Sequence, residues 1–137
     1  MSVPFKVDLQ DKVAVVTGGG GVLGSYFAKA LAECGAKVAI LDLNEESAQK
    51  VADEINHAGG VAVSVTCNVL DIESIKAAKD CVDQELGAVE ILPNGAGGNN
   101  SRGSTVDEYY DAKVVKNNPD LKTFFGLDPE GVQFVFI

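Results

Sequence analysis

The stretch Val15-Val16-Thr17-Gly18-Gly19-Gly20-Gly21-Val22-Leu23-Gly24 decides how this sequence folds. It follows the apolar residues Val13 and Ala14, and it opens a helical pattern with Leu23, Phe27, Ala30, Leu31 and Cys34 on one face. A strand, a glycine-rich turn and a helix form an anion site, because backbone N–H groups and the positive end of the helix dipole meet there. Gly19, Gly21 and Gly24 fit G-x-G-x-x-G, which predicts pyrophosphate binding, with a plain tight turn as the alternative.

Strand and helix patterns continue to alternate along the chain. Strands are predicted at 12–16, 37–41, 61–65 and 88–92, and a first helix at about 22–34. Asn44 is the predicted N-cap of a second helix, whose apolar face comprises Ala48, Val51, Ala52 and Ile55. Asp71 is the predicted N-cap of a third helix, whose apolar face comprises Ile72, Ile75, Val82 and Leu86. The strands are nearly continuous apolar runs, which is typical of parallel strands covered on both faces. We therefore predict an α/β fold, a doubly wound parallel sheet of Rossmann type, in order 3-2-1-4 and truncated after about four strands.

The predicted organisation has three parts. Residues 1–97 form a dinucleotide-binding βαβ half, and residues 98–128 form a loop-rich insert without periodicity. Residues 129–137 begin a further helix with Pro129 at its first position. We expect the chain to be cut there in mid-element, because it ends on the apolar run 132–137.

Composition narrows the class of protein. A formal net charge of −9 argues against a nucleic-acid partner, and no run reads as a membrane span or signal peptide. Three cysteines without C-x-x-C predict reduced thiols and a cytoplasmic location. A metal site is not expected, since His57 is the only histidine. We expect a small-molecule substrate, and a homo-oligomer in the full-length form.

Asp42 indicates which dinucleotide would bind. It ends the second strand, 18 residues after Gly24, where a carboxylate can accept hydrogen bonds from both ribose hydroxyls of adenosine. It would repel a 2′-phosphate, and Leu43 and Asn44 offer no cation to hold one. The residue therefore favours NAD over NADP, with an ordinary solvated aspartate as the alternative.

Two further segments follow predicted strands at the same edge. Cys67-Asn68-Val69 comes after the third strand, where the Asn68 amide could accept from or donate to an adenine edge, or stand in a plain turn. Asn94-Gly95-Ala96-Gly97 comes after the fourth strand, where small residues would let the backbone approach a cofactor, or form a simple turn.

Together these motifs, over residues 9–97, resemble the short-chain dehydrogenase/reductase family. Three positions depart from its usual pattern: Val22 replaces a glycine, Asn68 an aspartate and Gly95 an asparagine. The tail from Asn117 to Phe136 resembles a fructuronate or D-mannonate oxidoreductase subgroup. With the motifs, the resemblance implies these cofactor-binding residues: Thr17, Gly18, Gly19, Gly21, Val22, Leu23, Gly24, Asp42, Leu43, Asn68, Val69, Asn94, Gly95, Ala96 and Gly97.

The resemblance also implies a catalytic Ser and Tyr-x-x-x-Lys far beyond the N-G-A-G segment. Tyr109 and Lys113 have the Tyr-x-x-x-Lys spacing, but Tyr109 lies only 12 residues after Gly97 and no intervening strand carries a serine. We therefore reject this pair and predict no catalytic residue in the chain.

Three functions follow as hypotheses. The first is the cofactor-binding part of an NAD-dependent oxidoreductase that interconverts a hydroxyl and a carbonyl, on a sugar acid such as D-mannonate or fructuronate. The second is a non-catalytic nucleotide-binding fragment. The third is an interaction module that uses the edge of the fourth strand and the apolar segment 134–137.

Overall fold

The computed structural model describes residues 7–98, 111–118, 121, 123 and 127–130. The chain divides into two compact units, Met1–Ala96 and Gly97–Ile137. In the first unit strands and helices alternate: β1 (Val13–Thr17), α1 (Val22–Glu33), β2 (Lys37–Asp42), α2 (Glu45–His57), β3 (Val61–Thr66) and α3 (Ile72–Glu85). The second unit contributes a short helix, α4 (Ala112–Asn117). Among the described residues, no helix is long and apolar enough to cross a membrane.

The three strands form one parallel sheet with β2 in the middle. The register places Val13 beside Lys37 and Lys37 beside Val61, and it ends with Asp42 beside Thr66. Every β1 residue is buried, as the continuous apolar pattern predicts. All three strands therefore end at one edge of the sheet.

Alternate side chains of the sheet pack into two separate cores. Ala14, Val16, Val38 and Ile40 lie on one face with Ala28 of α1 and with Val51 and Ile55 of α2. Val13, Val15, Ala39 and Leu41 lie on the other face with Ala78 and Val82 of α3. Helices cover both faces, which confirms the predicted doubly wound α/β class.

The predicted fourth strand, 88–92, is wrong as a regular strand. The segment does lie beside β1, but it pairs only through two isolated parallel bridges, Ala14 with Ile91 and Thr17 with Asn94. The Val15 N–H donates to the Ile91 carbonyl (2.9 Å) and the Thr17 N–H donates to the Pro93 carbonyl (3.2 Å). The bond that would join the bridges needs an N–H at position 93, and proline has none.

Two predicted helix faces are also wrong in part. On α1, Leu23 and Phe27 are 71% and 48% exposed, and the buried residues are Gly24 and Ala28. Because α1 begins directly after the glycine turn, Gly24 lies against the Gly18 backbone of that turn. Ala28, one helical turn later on the same face, lies against the core. On α3, Ile72 and Ile75 are exposed, while Ala78 and Val82 are buried and Leu86 packs against them.

The predicted N-caps of α2 and α3 are confirmed. Asn44 Oδ1 accepts the Ser47 N–H, and Asp71 Oδ1 accepts the Glu73 N–H, both at 3.0 Å. These caps satisfy N–H groups that have no partner within the helix. They fix where α2 and α3 begin, directly after the strand ends that carry the candidate site residues.

Candidate functional site

The glycine turn joins β1 to α1 by backbone-to-backbone contact. Gly18 has a φ of +65°, a conformation that glycine adopts without strain. A Cβ at Gly24 would stand 2.1 Å from the Gly18 carbonyl oxygen, and one at Gly18 would stand 2.8 Å from the Ala96 backbone. Side chains are therefore excluded at both positions, and the turn keeps an open backbone surface.

The start of α1 is built to accept an anion. Gly21 is its N-cap and makes no side-chain hydrogen bond, and the first turn has no acidic residue. The first N–H groups of the helix consequently have no side-chain cap, and no carboxylate within the first turn competes for them. Val22 and Leu23 are 77% and 71% exposed. Because most of the Val22 surface is open to solvent, a valine fits at this position, where the family pattern has glycine.

Asp42 holds the glycine turn as well as ending β2. Its Oδ2 accepts the Gly20 N–H and its Oδ1 accepts the Asn44 N–H, each at 3.0 Å. The Gly19 N–H donates to the Leu41 carbonyl at 3.1 Å. Each carboxylate oxygen keeps a further lone pair for a ligand. The sequence patterns missed Gly20, where a Cβ would stand 3.0 Å from Asp42 Oδ2 and 2.9 Å from Ser47 Cβ.

Thr17 ties the 94–96 segment to the end of β1. Its hydroxyl oxygen accepts the N–H groups of Gly95 and Ala96, both at 3.1 Å, and the residue is only 9% exposed. A Cβ at Gly95 would stand 2.8 Å from the Thr17 carbonyl oxygen. Glycine at 95, in place of the family's asparagine, therefore permits this close approach. No sequence pattern indicated the Thr17 contact, since it joins residues 78 and 79 positions apart.

Asn68 follows β3 next to Asp42. The Cys67 N–H donates to the Asp42 carbonyl at 2.9 Å, so the loop after β3 starts against the end of β2. Asn68 is exposed, and the neighbouring apolar side chains of Leu43 and Val69 are 72% and 38% exposed. Polar and apolar groups thus stand together at this edge, a combination typical of ligand sites.

The structure brings fourteen of the fifteen candidate residues to one edge, after β1, β2, β3 and the bridged segment. The remaining residue, Gly97, belongs to the second unit, and its part in the site stays a prediction. Within the described residues no group of three or more His, Cys, Asp and Glu side chains could hold a metal ion. Lys113 is an exposed residue of α4, while Tyr109 and residues 134–137 lie outside the described residues.

Comparison with known proteins identifies the family. The short chain dehydrogenase family matches residues 12–118, which include the glycine turn, Asp42 and the 94–97 segment. The chain belongs to the short-chain dehydrogenase family. This membership confirms the resemblance predicted from the motifs.

The similar short-chain dehydrogenases include proteins related over nearly the whole chain. An uncharacterized oxidoreductase of Haemophilus influenzae is 43% identical over 99% of this chain and 47% of its own length. The uncharacterized oxidoreductase UxuB of Bacillus subtilis is 41% identical over 98% of this chain and 46% of its own length. A Haemophilus influenzae structure with bound NAD is described as a D-mannonate oxidoreductase and is 45% identical to this chain, with a TM-score of 0.79. The match covers 94% of this chain and 45% of that one.

The fold is also shared with an Escherichia coli hydroxysteroid dehydrogenase, 32% identical with a TM-score of 0.66, over 93% of this chain and 52% of that one. The chain therefore spans about half the length of the short-chain dehydrogenases it matches. The Haemophilus structure confirms the predicted likeness to the D-mannonate oxidoreductase subgroup.

Proposed function

We propose that this chain binds NAD at the carboxyl edge of its sheet and is the cofactor-binding part of an oxidoreductase. The observation that carries the proposal is the 3.0 Å hydrogen bond from the Gly20 N–H to Asp42 Oδ2. This hydrogen bond places the start of α1, which has no side-chain cap and no acidic residue in its first turn, beside the Asp42 carboxylate, whose oxygens keep lone pairs for a ligand. These are complementary to a pyrophosphate and to the ribose next to it.

The proposed roles of the residues follow their places along the edge. The 18–24 turn and the exposed Val22 and Leu23 surround the pyrophosphate, and Asp42 accepts from the adenosine ribose. Leu43, Asn68 and Val69 lie against the base. Thr17 holds the 94–96 segment, which passes beside the nicotinamide half. The family relative with bound NAD supports this choice of cofactor, and Asp42 without an adjacent cation supports NAD over NADP.

We further propose that the whole enzyme interconverts a hydroxyl and a carbonyl on a sugar acid such as D-mannonate or fructuronate. The relative described as a D-mannonate oxidoreductase supports this substrate class. When bound, the nicotinamide supplies the hydride chemistry, and this chain's residues orient the cofactor. A cytoplasmic location and a homo-oligomeric full-length form remain predictions.

The test is a fluorescence titration of the 137-residue chain with NADH, together with an assay of sugar-acid and polyol oxidation. We expect saturable NADH binding without turnover, because the chain spans about half of its relatives and the Tyr109–Lys113 pair is rejected as catalytic. Turnover abolished by Tyr109→Phe would restore that pair. A folded chain that binds no NADH would contradict the proposal and favour the interaction module.

A further inference from the structure

The sequence contains a single Asn-Gly pair, Asn94-Gly95, and it lies at the carboxyl edge of the sheet. The pair exists because glycine stands at position 95, where the family pattern has asparagine. Both residues are exposed, and the Asn94 side chain makes no hydrogen bond with any residue that the structure describes. The Asn94 amide is therefore open to reaction with its own backbone.

An asparagine followed by glycine can lose its side-chain amide without an enzyme. The Gly95 nitrogen gives its proton to solvent base and bonds to the Asn94 side-chain carbonyl carbon, and the C–N bond of the amide breaks to release ammonia. Water then opens the resulting cyclic imide, which gives aspartate or isoaspartate. Glycine favours the first step because no side chain at position 95 blocks the approach to its nitrogen.

Thr17 opposes this reaction in the folded chain. The Gly95 N–H points at Thr17, and both the carbonyl oxygen and the hydroxyl oxygen of that residue accept it at 3.1 Å. While these bonds hold, they resist the loss of the proton that the reaction requires, and they keep the backbone at 94–95 in one conformation. The reaction therefore needs the segment to leave Thr17 first.

Few bonds keep the segment in place. Residues 88–94 join β1 through two isolated bridges, and Pro93 has no N–H to add. Such a segment opens locally at a lower free energy than the buried strands. We propose that Asn94 is a site of spontaneous deamidation in the folded chain, and that the contact with Thr17 sets the rate of this modification.

The test follows Asn94 by peptide mapping and mass spectrometry while the 137-residue chain is incubated at mildly alkaline pH, either folded or in guanidinium chloride. We expect Asn94 to react faster than the exposed Asn68, which is followed by Val69, and to react more slowly in the folded chain than in the unfolded one. Thr17→Val keeps the backbone carbonyl and removes the hydroxyl oxygen. It should accelerate the reaction of the folded chain about fivefold or more, because the Gly95 and Ala96 N–H groups lose an acceptor.

Thr66→Val is the matched control, because it makes the same substitution at the end of β3, the strand farthest from the 94–96 segment. It should leave the rate at Asn94 unchanged. The proposal would be overturned by an Asn94 that stays intact in the folded chain, by equal rates in the folded and unfolded chains, or by equal rates in the two variants. If Thr17→Val does not fold, the comparison of the folded and unfolded unaltered chain still decides.

The modification has a consequence for the cofactor that rests on the proposed function. Isoaspartate adds a methylene group to the main chain, so the Gly95 and Ala96 N–H groups lose their positions against Thr17. The modified chain carries an added negative charge and can be separated by anion exchange. We expect it to bind NADH about fivefold more weakly or worse. If the fresh chain binds no NADH, the proposed function fails, while the mass measurement still decides the modification.

Discussion

At the scale of single residues, the site depends on glycines that touch other backbone. The Gly24 position lies against the Gly18 carbonyl, and the Gly18 position lies against Ala96. The G-x-G-x-x-G spacing predicted a turn there but could not show which atoms the glycines meet. Gly20 fits no motif position, and its contact with Asp42 becomes visible only when β1 and β2 are paired.

The first residue-scale prediction concerns Gly24→Ala. The new Cβ would stand 2.1 Å from the Gly18 carbonyl oxygen, so α1 must move away from the turn. We expect a loss of about 2 kcal/mol or more in the free energy of unfolding, measured by urea denaturation, and weaker NADH binding. Gly98→Ala is the control, because a Cβ there meets nothing within 4 Å and should change stability by less than about 0.5 kcal/mol. Equal losses in both variants would contradict the contact.

At the scale of elements, the periodicity of the sequence predicted which segments are helices and strands better than which faces they bury. Leu23 and Phe27 follow helical spacing with Leu31, yet α1 buries Gly24 and Ala28 instead. A hydrophobic pattern gives more weight to large apolar side chains than to glycine. It therefore cannot predict a buried helix face that is set by contact between the Gly24 backbone and the glycine turn. The caps Asn44 and Asp71 were predictable because a cap is a local interaction.

The element-scale prediction concerns Pro93→Val. The Val15 N–H faces the bridged segment, so its carbonyl faces the same way and can accept from an N–H at position 93. We expect the new amide hydrogen to exchange slowly, with protection similar to that of the Val15 amide, in native-state hydrogen exchange. Fast exchange at position 93, with the Val15 amide still protected, would show that proline is not what interrupts this pairing.

At the scale of the whole molecule, the alternation of strands and helices was enough to predict a doubly wound sheet, and the family comparison agrees with it. The edge that collects the ends of β1, β2 and β3 follows from that topology. Pairing details at the fourth position did not follow, since a single proline decides them. The chain has a net charge of −9, so an anionic cofactor must be held by local N–H groups rather than by the overall field.

The central claim is that Asp42 and the glycine turn together form an NAD site. The most direct test measures the Kd values of NADH and NADPH for the unaltered chain and for Asp42→Asn. Asparagine keeps one oxygen for a backbone N–H and removes the charge. We expect NADH to bind more tightly than NADPH in the unaltered chain. In Asp42→Asn the NADH Kd should rise about tenfold or more, because the ribose acceptor is lost together with one of the two backbone contacts of Asp42. The NADPH Kd should rise less, because only the loss of that backbone contact weakens its binding.

Glu45→Gln, which removes the nearby charge at the start of α2, is the control and should leave the ratio of the two Kd values unaltered. Equal weakening of NADH and NADPH in Asp42→Asn, or tighter binding of NADPH by the unaltered chain, would contradict the account.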